Sequence, residues 1–199
     1  AALSLNEEPV NLFENIEKFV EERGNNPIED VGFLTPHKEF NRLYGGLRSK
    51  NLYAFIARSG QGKTTFLFDI AFKTSLLSNF DIDVLYLDTE METEDMKWRA
   101  VSSLTGIGMW FLETGNFRKN PEMYAKVQAA LKIANGYRFD HFKVGNKSLD
   151  QVSSILRRWR NKKGRNKKAL FVYDYLKVAE GDKLSEASKE HQLIGFKVD

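Results

Sequence analysis

Apolar positions along this chain recur in two rhythms, one helical and one extended. Leu12, Phe13, Ile16, Phe19 and Val20 recur at helical spacing and predict a short amphipathic helix ending at Gly24, with "GNNPIED" after it as a linker. Such a helix either packs on its own domain or reaches out as an arm to a neighbouring subunit. The apolar run "NLYAFIA" at 51–57 predicts a buried strand, and Lys63–Leu77 has the length and period of a helix. Further on, the pattern predicts a strand over Asp83–Asp88, helices over 94–104 and 121–135, a short strand near 139–144, a helix over 149–160 and a strand over Ala169–Asp174. Strands alternating with helices at this spacing indicate an α/β fold, a mostly parallel sheet covered on both faces. Ligands of such sheets bind beyond the carboxyl ends of the strands.

Composition narrows the picture. A chain of 199 residues with 42% apolar positions suits one domain with a short appendage. It has no cysteine, which excludes disulfides and thiolate metal sites, and its three histidines, His37, His141 and His191, are too scattered to suggest a metal centre. A reducing cytoplasm is the expected setting. The N-terminus has no basic start followed by an apolar run, and no segment reaches the roughly 18 apolar residues that span a bilayer. A soluble protein with no membrane partner is therefore expected. A net charge of +3 is too small to argue for nucleic acid, but "RRWRNKKGRNKK" at 157–168 is dense in Lys and Arg and contains no acid. This block reads either as a solvated helix end or as a contact to a nucleic-acid backbone.

The candidate chemistry lies between the strand at 51–57 and the helix at Lys63–Leu77, in "ARSGQGKTT" at 57–65. The motif nearly spells the phosphate-binding loop G-x-x-x-x-G-K-[ST], with Ala57 where the first glycine belongs. With that glycine relaxed, average usage gives about one accidental match in ten chains of this length. The motif therefore gains its weight from the strand before it and the helix after it. Successive N–H groups of Ala57, Arg58, Ser59, Gly60, Gln61 and Gly62, with the positive end of the helix, suit the oxygens of a nucleoside triphosphate. In this pattern Lys63 reaches the β and γ oxygens, the Thr64 hydroxyl ligates magnesium, and Thr65 adds a phosphate contact. A second magnesium-holding group is expected at the end of a neighbouring apolar strand, where "ALFVYDYL" supplies Asp174. An acid that activates water cannot be the next residue, which is Tyr175. Instead "VLYLDTEM" puts Asp88 and Glu90 at a strand end, and Glu90 is the candidate general base if the two acid-bearing strands flank the strand of the phosphate loop.

Taken together, these residues resemble the RecA-like ATPase domain of the DnaB family of replicative hexameric helicases. That family's phosphate loop commonly reads A-R-P-x-M-G-K-T, with alanine first, and "ARSGQGKT" is similar to it. The family's S-L-E-M looks like "DTEM" here, which carries its catalytic glutamate onto Glu90. Its arginine on the following helix falls on Arg99, before a T-G-I that is matched in "SSLTGI". Its D-Y-L-Q looks like "DYLK", which carries the Walker B aspartate onto Asp174 and leaves Lys177 in place of glutamine. Upstream, "TPHKEFNRLYGGLRSKNLYAFIA" is similar to the family's entry segment, with Pro36 and His37 in place of its glycine.

The resemblance implies a RecA-like P-loop NTPase core at 31–199 preceded by a linker helix and linker at 1–30. It implies ATP and Mg2+ as cofactors, single-stranded DNA as partner, a ring-forming homo-oligomer, expected to be a hexamer, and a primase or helicase loader as further partners. The linker helix of such proteins packs on the adjacent subunit. The family's later strands, its Q-x-S sensor and its arginine finger follow the region that ends here at Asp199, so a truncated domain is expected. Divergence of the motifs adds a bacteriophage source, and so a host cytoplasm, to the expectations. Two other readings remain open: a RecA-like ATPase of the recombinase or clock-protein type, and a nucleotide-binding module with little hydrolysis.

Overall fold

The computed structural model describes residues 11–58, 60–145, 147–164 and 167–174. Helix α1 (Ile16–Asn25) and helix α2 (Lys38–Tyr44) lead to helix α3 (Lys63–Leu77) and strand β1 (Asp83–Asp88). Helix α4 (Thr93–Thr105), the short helix α5 (Met109–Glu113), a 3-10 turn (Asn116–Lys119) and helix α6 (Pro121–Ala134) follow. Strand β2 (Phe139–Lys143), helix α7 (Leu149–Lys163) and strand β3 (Ala169–Asp174) close the order. The strands form a parallel sheet in the order β2-β1-β3.

β1 is the middle strand, and all six of its residues are buried. A parallel strand with helices on both faces has no wet side, so its apolar run is continuous rather than alternating. On one face Val84 and Tyr86 pack with Phe68, Ala71 and Phe72 of α3 and Met96 of α4. On the other, Leu85 and Leu87 pack with Val144 and with Val152 of α7, flanked by Ile155, Leu156 and Trp159. A third cluster of Ile107, Leu112 and Val127 joins α4 and α6, with Trp98, Val101, Phe117 and Met123 around it. Local signals start these helices: Asn120 caps α6 with Pro121 at its first position, and Ser148 and Gln151 form a capping box on α7.

Two expectations need correction. The segment 51–57 forms no strand among the described residues, and it is not buried: Leu52 is 80% and Ile56 90% exposed. Its alternation is real, since Tyr53 and Phe55 turn inward onto Phe40, and Phe55 onto Phe66. An apolar run predicts extended backbone but cannot name a ladder partner, and here aromatic packing holds the chain. The strands that carry Asp88 and Asp174 are also direct neighbours rather than flanks of the phosphate-loop strand. Sequence spacing carries no information about lateral strand order.

The connection before 51–57 is fixed by backbone pairing of Phe33 with Leu47. Gly46 is required there, because its φ is +79° and a Cβ would lie 2.3 Å from the Phe33 carbonyl oxygen. Helix α1 has no buried residue, and Phe13, Phe19 and Val20 are 69%, 71% and 60% exposed.

The basic block at 157–168 is partly consumed inside the fold. Lys163 pairs with Asp140 at 2.8 Å and approaches Asp83 at 3.9 Å, Lys168 pairs with Asp81 at 3.1 Å, and the Trp159 indole donates to Asp140 at 2.7 Å. Burial opposes the charge on Asp140, but the Lys163 and Trp159 bonds outweigh it and hold the carboxyl below its usual range. These contacts gather around the beginnings of the strands, opposite the ends that carry Asp88 and Asp174.

Candidate functional site

The N-terminus of α3 starts without the usual devices. Its N-cap is Gly62 in the left-handed region, no side chain caps it, and its first turn contains no acid. Gly60 and Gly62 have φ of +77° and +78°, and a Cβ at either position would meet nothing within 4 Å. Glycine is therefore required by backbone conformation at both positions, with open space where a side chain would stand, just ahead of helix N–H groups that have no acceptor within the helix. That is what an anion-binding turn needs. Lys63 and Thr64 are half-buried in the first turn, while Thr65, Gly60, Gln61, Arg58 and Ala57 are exposed. Ser59 lies outside the described residues. Arg99 of α4 reaches across to donate from Nη1 to the Thr65 hydroxyl at 3.3 Å, tying the two helices that cover this face of the sheet.

The C-terminal ends of β1 and β3 bring two acids together. Asp88 and Asp174 are register partners, each 2% exposed. Asp174 Oδ2 accepts from the Tyr86 hydroxyl at 3.0 Å, and its Oδ1 is buried without a hydrogen-bond partner. Asp88 Oδ1 accepts from the amides of Glu90 at 2.5 Å and Met91 at 2.7 Å, and its Oδ2 is likewise buried and unpartnered. Burial, then the nearby Asp174 and Asp88 carboxylates, push the Tyr86 hydroxyl far above its ordinary value, so it remains a neutral donor. Glu90 stands two residues past the strand and is exposed. The turn that carries it runs directly into α4, whose first turn is closed by a capping box between Glu92 and Asp95 and braced by an ion pair from Glu92 to Lys143.

Neither Tyr86 nor the amide-binding role of Asp88 is evident from motif matching. A strand-terminal Asp followed by a turn is a known signal for side-chain capture of the next amides, and it was available in "LDTEM". A phenol buried mid-strand that reaches an acid 88 residues away carries no such local signal.

His141 of β2 faces the same side of the sheet. It bonds the Thr93 hydroxyl through Nδ1 at 2.9 Å, and burial lowers its pKa against the opposing pull of Asp88 and Glu92. A histidine depressed in the fold stays neutral while the unfolded chain takes up its proton, starting near the ordinary value of about 6.5. Its contribution is therefore intact above that pH and is lost as pH falls through the folded value. Urea unfolding at pH 7.5, 6.5 and 5.5 should show stability falling on acidification, with a shallower fall in His141→Gln.

The DnaB-like helicase C terminal domain family matches residues 32–196. The chain belongs to that family. Among its relatives, a probable replicative DNA helicase of Trieres chinensis is 22% identical over 184 residues, covering 92% of this chain and 39% of that protein. The replicative DNA helicase DnaB of Helicobacter pylori is 28% identical over 170 residues, covering 84% of this chain and 32% of that protein. The chain thus spans well under half the length of these curated relatives. A solved ATPase domain and a solved DnaB-like replicative helicase, the latter described with its interactions with primase, each match with a TM-score of 0.73 at 19% identity. Both matches cover 89% of this chain, and they cover 62% and 42% of those structures respectively. At that identity they establish the fold, a RecA-like α/β core with helices on a parallel sheet.

In a DnaB-like domain the arrangement has a direct chemical meaning. The buried, unpartnered Oδ1 of Asp174 suits a divalent cation beside a phosphate. Among the described residues no cluster of three or more His, Asp or Glu is arranged to hold a metal alone. A divalent cation that keeps its waters and shares phosphate oxygens fits such a site better than a fully caged ion.

Proposed function

We propose that this chain is the motor core of a DnaB-like replicative helicase, coupling ATP hydrolysis to movement along single-stranded DNA. The observation that carries the reading is the uncapped, acid-free start of α3, tied through Thr65 to Arg99 of α4, together with the buried Asp174 and the exposed Glu90 at the ends of two paired strands. The loop from Ala57 to Gly62 and Lys63 bind the triphosphate, with Thr65 as a further contact. Thr64 and Asp174 hold Mg2+, which when bound offsets the negative charge of the phosphate oxygens. Glu90 orients a water and takes its proton as the water oxygen bonds to the γ-phosphorus. The bond from that phosphorus to the bridging oxygen breaks, and ADP leaves with both electrons.

In this reading residues 31–199 form the ATPase domain, and residues 1–30 form an arm that docks on the next subunit of a homo-oligomeric ring, a hexamer. The exposed Phe13, Phe19 and Val20 support that role. Single-stranded DNA is the track, primase or a loader is a further partner, and the cytoplasm is the site of action. The test is steady-state ATP hydrolysis with and without single-stranded DNA, together with the mass of the assembly and strand displacement on a forked duplex. DNA-stimulated hydrolysis by a ring that displaces a strand is expected. Turnover without displacement would favour a recombinase-like or clock-like ATPase, and tight nucleotide binding without turnover would favour a binding module.

A further inference from the structure

Asp88 is nearly completely buried at the C-terminal end of β1, and the proposed hydrolysis gives it no role. Its backbone is pinned from both sides of the sheet. Its carbonyl accepts from the Val144 amide at 2.7 Å, and the next amide, Thr89, donates to the Asp174 carbonyl at 2.9 Å. Asp88 is thus the last position of β1 that the ladder holds rigid, and Glu90 stands two residues beyond it. One side-chain oxygen joins them: Asp88 Oδ1 takes the Glu90 amide at 2.5 Å and the Met91 amide at 2.7 Å. An oxygen committed to two N–H groups is poorly placed to accept a further hydrogen bond from water. It is well placed to transmit the position of the sheet to the turn.

We propose that Asp88 is a positioning residue that fixes the turn carrying Glu90, so that the Glu90 carboxylate meets the attacking water at a set distance. The inference rests on the reading of Glu90 as the water-orienting acid. Displacements of about 1 Å at a reacting group can cost on the order of 100-fold in rate, so losing both amide bonds should be felt in turnover rather than in nucleotide affinity. What the turn requires from Asp88 is an acceptor rather than a charge. Asparagine supplies the same acceptor and alanine supplies none.

The test compares Asp88→Asn, Asp88→Ala and Glu90→Gln in the full chain, measuring kcat, KM and binding of a fluorescent ATP analogue. Asp88→Ala should lower kcat by about 10- to 100-fold with analogue affinity within about twofold of the parent, and Asp88→Asn should recover most of the loss. Asp88→Ala placed on Glu90→Gln should be no slower than Glu90→Gln alone, because the displaced group is already disabled. Asp88→Ser, which offers one shorter acceptor, gives the same comparison if alanine at this buried position fails to fold, with an intermediate kcat expected. Equal losses in Asp88→Asn and Asp88→Ala, or a further loss in the double variant, would overturn the inference by making the charge of Asp88 the active feature. An unimpaired Asp88→Ala beside an inert Glu90→Gln would overturn it alone. Normal turnover by Glu90→Gln would overturn the assignment of Glu90 first and this inference with it.

Discussion

Glu90→Gln should leave nucleotide binding within about twofold of the parent while lowering ATP turnover by roughly 100- to 10,000-fold, the range over which a positioned general base contributes. The two side chains have nearly the same shape, and the carboxamide still accepts a hydrogen bond from water. What it cannot do is take the proton. The residue is exposed and stands two positions past the end of β1, outside the buried core. Thermal unfolding should therefore be unchanged within about 0.5 kcal/mol, as for other surface substitutions. Equilibrium binding of a fluorescent ATP analogue and single-turnover hydrolysis separate the two effects. A normal single-turnover rate would mean that another group activates the water.

Much of this site was legible in the sequence because its parts are local. Lys63–Leu77, Asp83–Asp88 and Ala169–Asp174 are read from periodicity with the boundaries the structure shows. Each is bounded by strong signals: a glycine-rich turn before α3, and acids at the ends of apolar runs. The other helices differ by a few residues at their ends. α7, for example, continues to Lys163 because Lys163 is held by Asp140 and Asp83, contacts made across the fold. The short α2 and α5 escape detection, since seven and five residues are too few for periodicity to stand out.

What remained hidden depends on lateral neighbours. The order β2-β1-β3 makes Asp88 and Asp174 partners, and that pairing creates the Tyr86 bond and the two unpartnered oxygens. No spacing along the chain encodes it. The basic block shows the same limit in reverse. Its density left open a solvated helix end or a nucleic-acid contact, and neither reading names the acids that answer Lys163 and Lys168, which come from Asp81, Asp83 and Asp140, far away in sequence. The Ala57 that departs from the generic loop is exposed, and its resemblance to the A-R-P-x-M-G-K-T form matches the family to which the chain belongs.

Lys63→Ala should abolish measurable ATP binding, weakening it by at least about 100-fold, while the folded domain stays within about 1 kcal/mol of its parental stability. The first part follows from charge. Truncating one member of a desolvated, hydrogen-bonded charge pair costs about 2–5 kcal/mol, and the triphosphate presents several negative oxygens to this ammonium. The second part follows from where Lys63 sits. It is a cation at the positive end of α3, in a first turn that has no acid and no side-chain cap. A positive charge there opposes the helix dipole by about 0.3–1 kcal/mol, so its removal relieves a local cost even as other Lys63 contacts are lost. Gly62 adds to that cost, because its left-handed conformation starts the helix without the capping oxygen that Ser, Thr or Asp would supply. A helix start built against the ordinary rules of helix stability, but in agreement with the needs of an anion, makes sense if an anion completes it. Lys63→Arg sharpens the comparison, since it keeps the charge and alters the geometry. Calorimetric titration with MgATP, run beside thermal unfolding of the same samples, checks both halves. Parent-like binding by Lys63→Ala would remove this lysine from the phosphate site, and a collapse in stability would make its role structural.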